Sequence, residues 1–104
     1  MKYNIVLTAS FYKDAEEISH YITYRLGAPK AAERLVADAY QSIKSLANSP
    51  CSGRVFTLSD GTSTVYRRIN IRNYALFYSV DERTNTVYIQ RFIYGRRNLD
   101  QILT

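Results

Sequence analysis

The chain opens on a short apolar run, YNIVLT at 3–8, and then changes to a 3.6-residue rhythm in which Phe11, Ala15, Ile18, Ile22 and Leu26 recur on one side. This predicts a strand followed by an amphipathic helix. Thr8 or Ser10 serves as its N-cap, because a hydroxyl there accepts from an otherwise unpaired amide of the first turn. The helix is expected to stop at Gly27-Ala28-Pro29: glycine tolerates a left-handed terminus, and proline fits the first turn of a second helix. That second helix places Ala32, Leu35, Val36, Ala39, Ile43 and Leu46 on one face and is broken by NSPCSG at 48–53. The tight connection makes the two helices an antiparallel hairpin.

After Arg54 the period drops to two. RVFTL, a turn at Asp60-Gly61, TVYRRINI, a turn at Asn73, YALFYSV, the polar turn DERTNT and VYIQRFIY read as antiparallel strands joined by short turns. With the first strand they predict an α+β fold of two layers, in which the N-terminal helical hairpin packs on a twisted, mainly antiparallel β-sheet. One domain spans 1–104. Strict alternation puts Val65, Ile69 and Ile71 on one face with Arg67, and Tyr66, Arg68, Asn70 and Arg72 on the other. In the last strand it puts Val87, Ile89 and Ile93 with Arg91, opposite Tyr88, Gln90, Phe92 and Tyr94. A sheet face carrying arginines and aromatics suits a nucleic acid, since guanidinium groups hold phosphates and rings stack on bases. It equally suits a protein segment, tyrosine and arginine being frequent interface anchors.

Charge favours the sheet as the working half. Residues 1–50 carry six basic and five acidic side chains, whereas residues 51–104 carry eight and four, so most of the net charge of +5 lies in the second half. All eight of those basic residues are arginine, whose planar, permanently charged fork suits phosphate, carboxylate and aromatic partners.

Several chemistries are excluded by what is missing. There is no phosphate-binding GxxxxGK loop and no GxGxxG, and one histidine with one cysteine makes neither a metal centre nor a thiol nucleophile, so no cofactor is expected. His20 falls opposite the apolar stripe and is expected to face solvent, and Cys51 reads as an inert turn residue. The acids of DAEE at 14–17 are read as opposing the helix dipole. A lone cysteine, an apolar N-terminal run too short for a signal peptide and no segment near the ~20 apolar residues of a membrane span predict a soluble cytoplasmic protein.

The order of these elements, a short strand, a helical hairpin ending in SP, an arginine-rich strand and then NYALFYSVDERTNTVYIQRFIYGRRNL, resembles the RelE/ParE toxins of type II toxin-antitoxin modules over nearly the whole chain. The resemblance implies a cognate antitoxin with an acidic C-terminal segment. It also implies one of two activities. RelE-like members are metal-independent mRNA endonucleases of the ribosomal A site, and ParE-like members poison DNA gyrase. Of the two strand lysines of RelE, one position holds Arg68 and the other Asn70. The arginine that RelE and YoeB carry after the turn falls on Ala75. The arginine after the last strand is matched by Arg97, but its tail tyrosine has no counterpart, and the closing histidine and tyrosine of YoeB fall on Ile93 and Tyr94. A nuclease would therefore rest on Arg68, Arg72, Tyr94 and Arg97. The ending GRRNLDQIL resembles ParE-like tails, and a gyrase poison would dock through Arg96, Arg97, Arg68 and Tyr66. The gyrase reading is placed first, the nuclease second, and a toxin fold that only binds its partner third.

Overall fold

A computed structural model describes residues 2–57 and 65–95. Strand β1 (Asn4–Leu7) leads into helix α1 (Ala9–His20), which continues as a π-helical turn (Tyr21–Arg25), and helix α2 (Pro29–Leu46) returns along it. Four strands follow: β2 (Arg54–Thr57), β3 (Val65–Ile71), β4 (Tyr74–Asp81) and β5 (Thr86–Tyr94). They form one five-stranded sheet in the order β1-β5-β4-β3-β2, parallel between β1 and β5 and antiparallel elsewhere. The expected Asp60-Gly61 turn lies outside the described residues.

Local chemistry sets the helix ends. The Thr8 hydroxyl accepts from the Phe11 amide at 3.2 Å, capping α1, and donates to the Ile89 carbonyl at 2.7 Å, which ties the cap to β5. Gly27 takes a left-handed φ of 62°, and Pro29 occupies the first turn of α2. The expected apolar stripe of α1 holds at Phe11, Ala15, Ile18 and Ile22 but fails at Leu26, which is 58% exposed. The π-helical turn is the reason. The amide of Leu26 bonds to the carbonyl of Tyr21 and that of Ala28 to Ile22, at 3.1 and 3.0 Å, so the chain spends an extra residue and Leu26 leaves the stripe.

The core lies between the hairpin and one sheet face. Ala32, Leu35, Ala39, Ile43 and Leu46 of α2 join Phe11 and Ile22 against Ile71, Leu76, Tyr78, Val87, Ile89 and Phe92. Burying each large side chain contributes about 1.5–3 kcal/mol. Tyr78 reaches through this layer to the loop after α2: its hydroxyl donates to the Pro50 carbonyl at 2.8 Å and accepts from the Gly53 amide at 2.9 Å. Burial, above all, raises the Tyr78 pKa from its ordinary value.

A bulge corrects the expected faces of β5. Tyr78 pairs with Ile89 and Phe77 with Arg91, so the register skips Gln90, whose side chain donates to Ser79 Oγ of β4 at 3.1 Å. One extra residue reverses the alternation beyond it. Phe92 accordingly enters the main core with Val87 and Ile89, while Ile93 passes to the opposite face and packs with Ala75 and Phe77. The turn expected at Asn73 is present, with Arg72 as its left-handed residue (φ 58°).

Candidate functional site

The sheet face away from the helices is apolar at its centre and cationic around it. Ala75, Phe77 and Ile93 are buried there, with Phe56 and Tyr66 packed against them. The Arg68 guanidinium carbon lies 5.5 Å from the centroid of the Phe77 ring, a cation–π contact. Register places Arg54 directly opposite Arg68 and Phe56 opposite Tyr66, so Arg54 belongs to this basic surface. Sequence alone did not single out Arg54, because only the pairing of β2 with β3 sets the two arginines side by side.

Of the expected site residues, Arg68, Arg72 and Tyr94 come together. They line a cleft of about 410 Å³ with Asn70, Asn73, Tyr74 and Gly95, where the β3–β4 turn meets the end of β5. Arg68 is held from two sides: its Nε donates to Asn70 Oδ1 at 2.9 Å and its Nη2 to the Gly95 carbonyl at 3.2 Å. Gly95 in turn donates its amide to the Asn73 carbonyl at 2.9 Å. A Cβ on Gly95 would stand 3.1 Å from that carbonyl and 3.2 Å from Arg68 Nη2, so a side chain here would push the turn or the guanidinium away by a few tenths of an ångström. Arg72 donates to Asp38 Oδ2 at 2.7 Å, a half-exposed ion pair with the middle of α2. Tyr94 is 41% exposed and sets its ring edge-on to Tyr74, the centroids 5.8 Å apart. Tyr66 does not line the cleft; it is half-buried against the Ala75, Phe77 and Ile93 cluster. Arg96 and Arg97 lie outside the described residues.

A second depression shares the cleft's wall at Asn73, Tyr74 and Tyr94. This trough of about 580 Å³ runs between the end of α1 and the end of the sheet, over Ile18, Tyr21, Leu26 and Phe92. Burial, and then the neighbouring hydroxyls of Tyr21 and Tyr94, raise the pKa of Tyr74. Asp14 at its edge corrects the helix-dipole reading of DAEE. It is buried and takes Arg91 in a bidentate pair at 2.6 and 2.8 Å, while its Oδ2 also accepts the Phe92 amide at 3.0 Å. The hydrogen bonding that Arg91 donates to the Asp14 carboxylate is the main cause that raises the Arg91 pKa.

His20 is exposed, its ring tilted against that of Tyr24 with centroids 4.6 Å apart, and the Cys51 thiol is free and exposed. Among the described residues, no three His, Cys, Asp or Glu side chains form a set that could hold a metal ion, and no helix is long and apolar enough to cross a membrane.

This architecture is that of the RelE/ParE toxin structures. Similar folds include the RelBE2 toxin-antitoxin complex of Mycobacterium tuberculosis (TM-score 0.58, 20% identity, covering 90% of this chain and 99% of that one). The chromosomal ParDE system of P. aeruginosa gives a TM-score of 0.65 at 17% identity, covering 89% and 96%. The archaeal RelE-RelB complex of Pyrococcus horikoshii OT3 gives 0.58 at 20%, covering 94% and 100%. Comparison with curated proteins finds no significant match. The family model described as the ParE toxin of type II toxin-antitoxin system, parDE, matches residues 5–99, and the chain belongs to that family.

Proposed function

We propose that this toxin acts as a ParE-type poison of DNA gyrase and is neutralised by a cognate antitoxin. The observation that carries this reading over RNA cleavage is Ala75. At the position where the resemblance to RelE and YoeB calls for an arginine, the chain has an alanine with no exposed surface, packed with Phe77 and Ile93. A phosphate held there would meet no charge from that position. Arg68 keeps its charge, bonded only to the neutral acceptors of Asn70 and Gly95, but Arg72 is neutralised by Asp38. Arg68 and Tyr66, with Arg96 and Arg97, are the proposed docking residues for gyrase.

The second reading, a ribosome-dependent and metal-independent mRNA endonuclease, is favoured by one specific observation: Arg68, Arg72 and Tyr94 line a single cleft. Arg97 would complete that set. Removing one charge-stabilising donor from such a site typically costs ~10²–10³ in rate, so a site missing the Ala75 donor is a poor catalyst.

The two mechanisms separate in one pair of assays. Purified toxin is expected to inhibit gyrase supercoiling or trap the cleaved DNA complex, with Arg96→Ala or Arg97→Ala weakening the effect. Primer extension on ribosome-bound message is expected to show no A-site cuts. Ribosome-dependent cleavage that Arg68→Ala or Tyr94→Phe abolishes, with gyrase unaffected, would replace the first reading by the second.

A further inference from the structure

The Arg72–Asp38 pair and the trough beside it point to how an occupant fits. The trough and the arginine cleft are contiguous, sharing Asn73, Tyr74 and Tyr94. The trough presents apolar surface that folding leaves uncovered: Leu26 is 58% exposed and Tyr21 50%. The cleft presents two cations, Arg68 and Arg72, in a chain of net charge +5. The far end of the trough carries the exposed acid Glu17, while its other acid, Asp14, is consumed by Arg91. A segment lying along both depressions therefore meets apolar surface first and positive charge next, and a carboxylate at the Glu17 end is repelled.

Arg72 is not free to receive that carboxylate, because Asp38 already holds it at 2.7 Å. The pair is half-exposed, with side-chain exposures of 55% and 48%, and such pairs contribute little to stability and open easily. We infer that Asp38 is an internal stand-in for a partner's carboxylate. It occupies Arg72 in the isolated toxin and is displaced when an acidic-apolar segment of the antitoxin lays an apolar side chain in the trough and a carboxylate against Arg68 and Arg72. This rests on the antitoxin reading given above and adds the place, the direction and the competitor. Exchange of one carboxylate for another leaves the charge count at Arg72 unchanged, and the net gain comes from covering Leu26 and Tyr21.

The probe is the polypeptide encoded by the open reading frame adjacent to the toxin gene, titrated calorimetrically into full-length toxin. Asp38→Asn removes the competitor and is expected to tighten binding roughly two- to five-fold, the scale of an exposed ion pair. Arg72→Gln removes the pair in the free and the bound state alike, so it is expected to change wild-type binding by no more than about that same two- to five-fold and to abolish the gain from Asp38→Asn in the double variant. Leu26→Ser, at an exposed position, is expected to weaken binding on the trough side. Binding by the wild type that none of these variants alters overturns the inference and leaves the antitoxin reading standing. Absence of binding by the wild type overturns both. A single-stranded RNA dodecamer, titrated in parallel, tests the other class of occupant: if Asp38→Asn strengthens and Arg72→Gln removes RNA binding while the polypeptide is indifferent, the inference fails.

Discussion

Asp14 and Arg91, 77 residues apart in sequence, form a two-point ion pair at 2.6 and 2.8 Å where strand β1 has ended and the flank of β5 is left to helix α1. The same carboxylate takes the Phe92 amide just beyond the bulge at Gln90. One side chain thus satisfies a guanidinium and a strand amide and locks the first helix to the last strand.

Removing one partner should therefore be expensive. Asp14→Ala strands a largely buried guanidinium and an amide, and is expected to cost about 3–5 kcal/mol in denaturant unfolding. Replacing both groups, as Asp14→Leu with Arg91→Met, should cost less than Asp14→Ala alone. A double variant as unstable as the single one would show that the charge pair itself, not the stranded cation, carries the stability.

Tyr78→Phe removes a hydroxyl that serves the Pro50 carbonyl and the Gly53 amide at once. The expected loss is about 1–3 kcal/mol, since the amide is left without its partner in the interior. Hydrogen exchange at Gly53 should accelerate by more than the global change in stability explains.

Alkaline pH should weaken the fold through two tyrosines. Burial is the first cause that raises the pKa of both Tyr74 and Tyr78. A phenol whose folded pKa lies above its unfolded value binds more protons in the folded state. Its contribution is fully present below the unfolded value, near ~10, and is lost as pH rises through the raised folded value. Urea midpoints should fall above pH ~10, and Tyr74→Phe should make that fall shallower. A slope unchanged by the substitution would place the alkaline transition on other groups.

Restoring an arginine at Ala75 should not restore RNA cleavage. The position has no exposed surface and sits among Phe77, Ile93, Phe56 and Tyr66. An unpaired guanidinium there either stays buried at a cost of several kcal/mol or opens the sheet face. Ala75→Arg is expected to lower the melting temperature strongly and to leave primer extension blank. A stable, cleaving variant would show that this site is one substitution from a nuclease.

Arg72→Gly tests the turn. Glycine relieves the left-handed φ of 58° but gives up the exposed pair with Asp38, two effects that each amount to about 1 kcal/mol or less. Stability by chemical denaturation should stay within about 1 kcal/mol of wild type. A larger loss would mean that the Asp38 contact clamps the β3–β4 turn.

Much of this molecule is written in nearest-neighbour chemistry. The 3.6 and 2.0 periods, a hydroxyl cap at Thr8 or Ser10, the Gly27 terminus and Pro29 each depend on residues within a turn or two, so they could be read from the chain: the helical hairpin, the α2 stripe from Ala32 to Leu46 and the strand run after Arg54 follow from them. The convergence of Arg68 with Tyr94 was also within reach, since family resemblance set both among the candidates. What tertiary structure alone decided are the relations spanning tens of residues. The bulge at Gln90 exchanges the faces of Phe92 and Ile93, because a one-residue slip in pairing is invisible to an alternation rule that presumes none. The π-helical turn moves Leu26 from the stripe to the trough by a backbone hydrogen-bond choice that side-chain spacing does not encode. Asp14 was one acid among three in DAEE until Arg91 came within 2.6 Å of it, and nothing in the second helix marks out Asp38 until the β3–β4 turn brings Arg72 to it. For both acids the partner is supplied by a distant part of the sheet, a strand for Asp14 and a turn for Asp38, and a carboxylate's role follows from the charge that packing places against it.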